Sequence, residues 1–155
     1  RDRNHSRRGV DGEMIIEPFR PEHVLLLGDI ASESLGTVEQ VLAMAKINAH
    51  GPGWTGFTPA GECIGACGVR PMWRGTGEAW GIFSPLIASH ALSAVRAIRK
   101  GLDMLIDAQN LQRVQATVNA SHPRALAFAR SLGFREEGLM LKYHDGFDYW
   151  MVSKT

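Results

Sequence analysis

Apolar and polar residues alternate along several short stretches of this chain, a pattern typical of strands that bury one face. The clearest stretch is Arg113–Asn119, where Val114, Ala116 and Val118 alternate with polar residues. Segments rich in proline and glycine, and an aspartate–glycine pair before Phe147, separate the other stretches. The pattern predicts strands at 14–19, 54–58, 62–72, 78–84, 113–119, 137–143 and 147–153.

Apolar residues at helical spacing predict four helices between these strands. The first begins at Pro21, and the second begins after Thr37, which forms a capping-box pattern with Gln40. The third is long and follows Pro85. The first helix is expected to run through Val24, Leu25, Leu27 and Ile30. The inward stripe expected of the third consists of Leu92, Val95, Ile98, Leu102, Leu105 and Ile106.

The fourth helix is short and starts at Pro123, a residue that the first turn of a helix tolerates. Ser121 or His122 must act as its N-cap, and serine is the better capping residue. Gly133 ends the helix, and Phe134 supplies the hydrophobic contact that often follows a glycine C-cap. The inward residues expected here are Ala125, Leu126, Phe128, Ala129 and Leu132.

This order of elements predicts one α+β domain over residues 14–155, with a mixed, mostly antiparallel sheet flanked by helices. Residues 1–13 are polar and aperiodic, with four arginines against three acidic residues. We interpret them as a disordered leader or as the remnant of an expression tag, with Met14 as the candidate native start. A basic arm for nucleic acid is the weaker interpretation, because acidic residues are interspersed.

Composition and charge narrow the range of partners. Hydrophobic residues make up 45% of the chain, and the formal net charge is +1. That charge gives no argument for a nucleic-acid or membrane partner, and no apolar run approaches the ~20 residues that span a bilayer. Cys63 and Cys67 lie four residues apart in one predicted strand, about 13 Å, which is too far for a disulfide. We therefore expect two buried thiols on one strand face, no metal site and a cytoplasmic protein.

The order of elements, together with the segment HPRALAFARSLGF, resembles the GNAT superfamily of acyl-CoA-dependent N-acyltransferases. In that family the segment typically reads Asn-x-x-Ala-x-x-Phe/Leu-Tyr-x-x-x-Gly-Phe. The opening MIIEPFRPEHV is also similar to the first strand and helix of the family. The matching positions of the segment hold His122, Ala125, Phe128, Ala129, Gly133 and Phe134.

The resemblance implies that acetyl-CoA, or a related acyl-CoA, binds where two parallel strands splay apart. Those strands would be 78–84 and 113–119, with the pyrophosphate at the N-terminus of the long helix. The turn 74–77, with the sequence RGTG, looks like half of a phosphate loop, but its position before a strand favours a hairpin turn. The residues that the resemblance assigns to the cofactor are Phe83, Ser84, Ala88, Ser89, His90, Asn119, His122, Arg124 and Phe128.

Two features depart from the family pattern. The interval 84–91 contains no glycine, so the usual glycine-rich phosphate cradle is missing. Ala129 occupies the position of the family's tyrosine acid, which leaves Tyr149 or Tyr143 as substitutes and Glu78 as the candidate base. The simpler interpretations are that Glu78 lies on the surface, that Ser89 is a plain N-cap, and that both tyrosines only pack. Trp80 would shape the acyl pocket or pack in the core.

Two functional hypotheses follow. The first is transfer of an acetyl or other acyl group from acyl-CoA to a primary amine. The second is a GNAT fold without catalysis that serves assembly or binding, with protein partners. The stretch GEAWGIFSP, followed by a basic helix, is similar to GNAT-like proteins of tailed phages and prophages, which would place the protein in the host cytoplasm or the virion.

Overall fold

The computed structural model describes residues 13–27 and 36–155. The predictions for residues 1–12, and for Ile30 at the end of the first helix, lie outside the described residues. Within those ranges, no helix is both long and apolar enough to cross a bilayer.

A single sheet forms the centre of the fold, and its strands follow the alternating stretches of the sequence. In the described part of the chain it has seven strands in the order β1-β2-β3-β4-β5-β7-β6. All neighbours pair antiparallel except β4 and β5, which pair parallel. The predicted α+β class with a mixed, mostly antiparallel sheet is therefore confirmed. The strands are β1 Ile15–Pro18, β2 Gly53–Phe57, β3 Cys63–Trp73, β4 Thr76–Phe83, β5 Arg113–Asn119, β6 Arg135–His144 and β7 Phe147–Lys154.

Three α-helices and two 3-10 helices flank this sheet within the described residues. The α-helices are α1 Val38–Asn48, α2 Ala91–Gln109 and α3 Pro123–Ser131, and the 3-10 helices are Pro21–Leu27 and Pro85–His90. The capping box at the start of α1 is confirmed, because Thr37 and Gln40 bond each other's backbone N–H groups. The long helix begins six residues after Pro85, at Ala91, because Pro85–His90 form a separate 3-10 helix.

Two side chains that the periodicity placed inward are exposed. Leu92 and Ala125 face solvent, so these predictions are wrong, and Leu25 of the first helix is exposed as well. Leu92 lies in the first turn of α2, whereas the buried stripe of that helix starts at Ala94. Periodicity identifies a face of a helix, but it does not tell how far along the helix that face is covered.

Of the two predicted N-cap candidates for α3, the structure has His122 and not the preferred Ser121. His122 occupies the cap position and makes no side-chain capping bond. The Ser121 hydroxyl instead donates to Asn119 Oδ1 over 2.7 Å, and the Ser121 backbone N–H donates to the same oxygen over 2.9 Å. Ser121 lies one residue before the cap position, in a local turn closed by Asn119, so its hydroxyl oxygen does not cap α3.

The two faces of the sheet carry separate hydrophobic clusters. Helices α2 and α3 cover one face, which we call the α2 face, around a core that includes Leu102, Val114, Ala129 and Val152. The first 3-10 helix and α1 cover the opposite face, here called the α1 face. Its cluster consists of Val24, Leu27, Val41, Ala45 and Cys63.

The two cysteines do not share a strand face, contrary to the prediction. Cys63 packs in the cluster of the α1 face, whereas Cys67 pairs with Trp54 and faces α2. The register between β2 and β3 shifts at Gly56 and Phe57, and this irregularity reverses the alternation between the two cysteines. Both thiols are free.

Candidate functional site

Strands β4 and β5 separate after a short parallel contact, as the sequence predicts. They pair at three positions, Thr76 with Arg113, Gly77 with Val114 and Glu78 with Gln115. Beyond these, β5 continues to pair with β7 on its other edge as far as Asn119. The two strands therefore border a gap that widens from Glu78 towards Phe83.

The backbone of β4 presents polar groups to this gap. The Ser84 N–H donates to Ile64 O on β3 over 2.9 Å. Because hydrogen-bonded and non-bonded positions alternate along an antiparallel pair, the backbones of Ala79, Gly81 and Phe83 face β5. An extended ligand with amide groups can pair with these positions as a neighbouring strand would.

An aromatic pair spans the gap on the α2 face. The rings of Phe83 and Phe128, the latter on α3, lie edge to face with centroids 5.2 Å apart. The Phe83 ring lies against Gly81, where an added Cβ would be 2.7 Å from Phe83 Cε2. The structure thus brings together two residues predicted to bind the cofactor, and glycine at position 81 makes their contact possible.

The segment after β4 forms one rim of the gap, but its residues differ in accessibility. Ser84 is buried, and its hydroxyl donates to the carbonyl oxygens of Cys63 and Ile64, both at 3.0 Å. Its side chain is therefore turned towards β3 and not towards the gap. Ala88 and Ser89 are exposed in the second 3-10 helix. His90, not Ser89, is the N-cap residue of α2.

The turn between β5 and α3 forms the other rim. It contains Asn119 and His122, and Arg124 follows on the exposed side of α3. Since β4 and β5 run parallel, their carboxyl ends lie at the same edge of the sheet. The predicted cofactor residues therefore gather at the open end of the gap, on its two sides.

Charged residues lie at the closed end of the gap, on the α1 face. Glu78 forms an ion pair with Arg70 on β3, with Oε2 and Nη2 3.3 Å apart. On the neighbouring strand, Arg113 Nε donates to Gln115 Oε1 over 2.9 Å, and its guanidinium also binds Glu137. Hydrogen bonds from Arg113 and Ser153 lower the pKa of the Glu137 carboxyl.

Local sequence does not predict this polar row. Arg70 lies opposite Glu78 because the register between β3 and β4 shifts between Pro71 and Trp73. Without that shift, counting back from the turn pair Trp73–Thr76 would place Pro71 opposite Glu78. Gln115 joins this polar row only because β4 pairs parallel with β5, and local sequence does not encode that pairing. Within the described residues, no group of three or more His, Cys, Asp or Glu side chains is placed to hold a metal ion.

The two candidate catalytic residues lie on the same face but at opposite ends of the gap. Glu78 pairs with Gln115, and Tyr149 pairs with Asn119, four residues further along β5. Four residues of strand span about 13 Å. Tyr149 packs against Tyr143, with ring centroids 5.3 Å apart. The structure therefore does not bring Glu78 and Tyr149 into contact.

Trp80 is partly buried and packs against Phe19 on the α1 face. Its ring lies 4.6 Å from that of Phe19, measured between centroids, and its Cζ2 lies about 3 Å from where a Cβ on Gly53 or Gly68 would stand. Its Nε1 is buried without a hydrogen-bond partner among the described residues. These contacts agree with the packing interpretation, and Trp80 is also among the residues that line the apolar cavity beside α2.

Comparison with solved structures identifies the fold. A GNAT-family acetyltransferase from Bacillus anthracis has a TM-score of 0.70 at 14% identity, covering 92% of this chain and 95% of that one. A GNAT-family acetyltransferase from Streptococcus pneumoniae gives 0.68 at 16% identity, with 92% and 98% covered. A mutant of the spermidine N-acetyltransferase SpeG from Vibrio cholerae gives 0.70 at 13% identity, with 91% and 92% covered.

No protein-family model matches the sequence, and no curated protein matches it. At identities of 13–16%, the structural likeness establishes the fold alone. The chain has the GNAT fold, which confirms the architecture that the segment HPRALAFARSLGF indicates.

Proposed function

We propose that this protein is an N-acyltransferase that moves an acyl group from acyl-CoA to a primary amine. The gap between β4 and β5 carries the proposal, because it leaves the backbones of Ala79, Gly81 and Phe83 facing an unpaired space inside a sheet. Backbone polar groups in the interior of a protein need hydrogen-bond partners, and the amides of a pantetheine arm would supply them. The structural neighbours named as acetyltransferases support the same interpretation.

The reaction would use groups on the α1 face of the gap. The amine nitrogen attacks the thioester carbonyl, so a C–N bond forms and the C–S bond breaks. Glu78 takes the proton that the amine loses, and the departing thiolate is protonated in turn. Tyr149, the candidate acid, lies four strand residues, about 13 Å, from Glu78, so water would carry the proton between one of these groups and the reacting atoms. Because Glu78 is paired with Arg70, accepting a proton would weaken that ion pair.

A second candidate function is a GNAT-fold module without catalysis, such as a phage assembly protein. Three observations favour it. Ala129 is buried at the position of the family's tyrosine acid, the segment 84–91 has no glycine, and the Phe83–Phe128 pair spans the gap.

Calorimetric titration with acetyl-CoA separates the two candidates. Binding, followed by acyl transfer to at least one amine of a panel, supports the enzyme. If neither acetyl-CoA at millimolar concentration nor a longer acyl-CoA binds, the enzyme proposal is contradicted. Binding without turnover favours the non-catalytic module.

A pair of variants tests where the donor binds. Ala88→Phe places a bulky side chain at the exposed rim of the gap, and we expect it to weaken acetyl-CoA binding. Ala60→Phe introduces the same side chain in the exposed turn between β2 and β3, and should leave the affinity unchanged. Equal affinities of the two variants would show that the rim is not the cofactor site.

A further inference from the structure

A cavity of about 570 Å³, open to solvent on one side, lies between α2 and the α2 face of strands β1 to β4. The side chains of Ile16 and Met104 at its open side are exposed. Its lining is mostly apolar, and it includes Trp54, Cys67, Ala79, Phe83, Ala97 and Gly101. Lys100 and Gln109 contribute to the lining from the exposed side of α2. This size and this composition are those of a small-molecule site.

The small residue Gly101 helps to keep this space open, but it lowers the stability of helix α2. Gly101 lies in the interior of the 19-residue helix α2, where glycine is less favourable than alanine. A Cβ at this position would meet the Trp54 ring at 3.8 Å, which is ordinary contact. Alanine would therefore fit, so steric crowding does not account for the glycine.

The walls of the cavity are uncharged where they meet the sheet. Burial raises the pKa of the Cys67 thiol to about 12, so the side chain is a neutral thiol at neutral pH. An aliphatic ligand would thus meet apolar or weakly polar atoms along this side.

The cavity shares two residues with the gap between β4 and β5. Ala79 and Phe83 both line the cavity, and their backbones face the gap. The Phe83 ring stands where the two spaces meet, and the side chain of Ala79 is too small to close the space beside it. A ligand whose polar part occupied the gap could extend an apolar part into the cavity.

We infer that the preferred acyl donor carries a medium or long hydrocarbon chain, and that this chain fills the cavity under α2. The inference rests on the proposed acyltransferase function and specifies its donor. An acetyl group would leave the apolar cavity unfilled. Each methylene that the cavity removes from water contributes about fourfold in affinity when fully buried.

The test compares free CoA, acetyl-CoA and decanoyl-CoA by calorimetric titration below micellar concentrations. We expect decanoyl-CoA to bind at least tenfold more tightly than acetyl-CoA. Gly101→Leu places a side chain in the cavity and should reduce that preference by tenfold or more. Gly101→Ala, the matched control, adds a single methyl group and should retain most of it. A thermal melt of each variant verifies that it is folded.

The outcomes separate this inference from the proposed function. If none of the CoA compounds binds, both the acyltransferase proposal and the inferred preference for a long-chain donor are refuted. If acetyl-CoA and decanoyl-CoA bind equally, the acyltransferase proposal stands and the chain-length inference is overturned. A Gly101→Leu variant that weakens both esters equally also overturns it, because the added side chain would then act on the gap and not on a separate chain site.

Discussion

Replacing Gly101 with alanine should make the protein more stable. Glycine in a helix interior costs roughly 0.5–1 kcal/mol relative to alanine, because it loses more backbone freedom on folding. The added Cβ would meet the Trp54 ring at 3.8 Å and nothing closer, so no steric term opposes this gain. We therefore expect the free energy of unfolding to rise by about 0.5–1 kcal/mol.

For a chain of this length, such a change corresponds to an increase in Tm of roughly 1 to 4 °C. Urea unfolding followed by circular dichroism gives the free energy, and calorimetry gives Tm. Gly65→Ala is the contrasting variant, because its Cβ would stand 2.5 Å from Phe83 Cδ1 and 2.7 Å from Ile82 O. It should destabilise the protein by about 1–3 kcal/mol. If Gly101→Ala has a lower Tm than the wild type, the claim that a Cβ at position 101 fits beside the Trp54 ring without steric conflict is refuted.

Three further results are expected. The free energy of unfolding should fall as pH drops below 6.5. The reason is that burial, and then Arg20, lower the pKa of His23, so the unfolded chain binds the proton more readily than the folded one. In urea titrations at several pH values, His23→Gln should weaken this pH dependence. Glu78→Gln should lower kcat by about 10²–10⁴ without weakening acyl-CoA binding, and an unchanged kcat would exclude Glu78 as the base. Gly133→Ala should destabilise by about 1–2 kcal/mol, since φ is +97°; an unchanged denaturation midpoint would contradict this.

Local patterns predicted the parts of the fold that depend on neighbours in sequence. Strand Arg113–Asn119 and the end of α3 at Gly133 agree with the structure, since alternation, proline position and glycine C-cap all indicate the same element. The Asp145–Gly146 turn is also confirmed, with both residues at positive φ. In each case the controlling interactions lie within a few residues.

The candidate site was harder to predict, because its geometry depends on contacts between distant segments. The irregular register near Gly56 places Cys63 and Cys67 on opposite faces, although their spacing alone suggests one face. The sequence suggests that the Ser84 hydroxyl could bind the cofactor, but in the structure it donates hydrogen bonds to carbonyl oxygens of β3. The pairing of Glu78 with Arg70 depends on the register shift between Pro71 and Trp73. Gln115 lies beside Glu78 only because the long crossover through α2 brings β5 parallel to β4.

Phe83 links these distant segments and gives a physical reason for two glycines in neighbouring strands. An added Cβ at Gly65 or Gly81 would stand 2.5 or 2.7 Å from the Phe83 ring, so both positions leave room for that ring. The ring in turn contacts Phe128 across the gap and lines the cavity under α2. The packing of one aromatic side chain thus sets the boundary between the space proposed for the pantetheine arm and the space proposed for the acyl chain. A donor that occupies both must pass this ring, so chain-length preference depends on the position of Phe83 as well as on the volume beside Gly101.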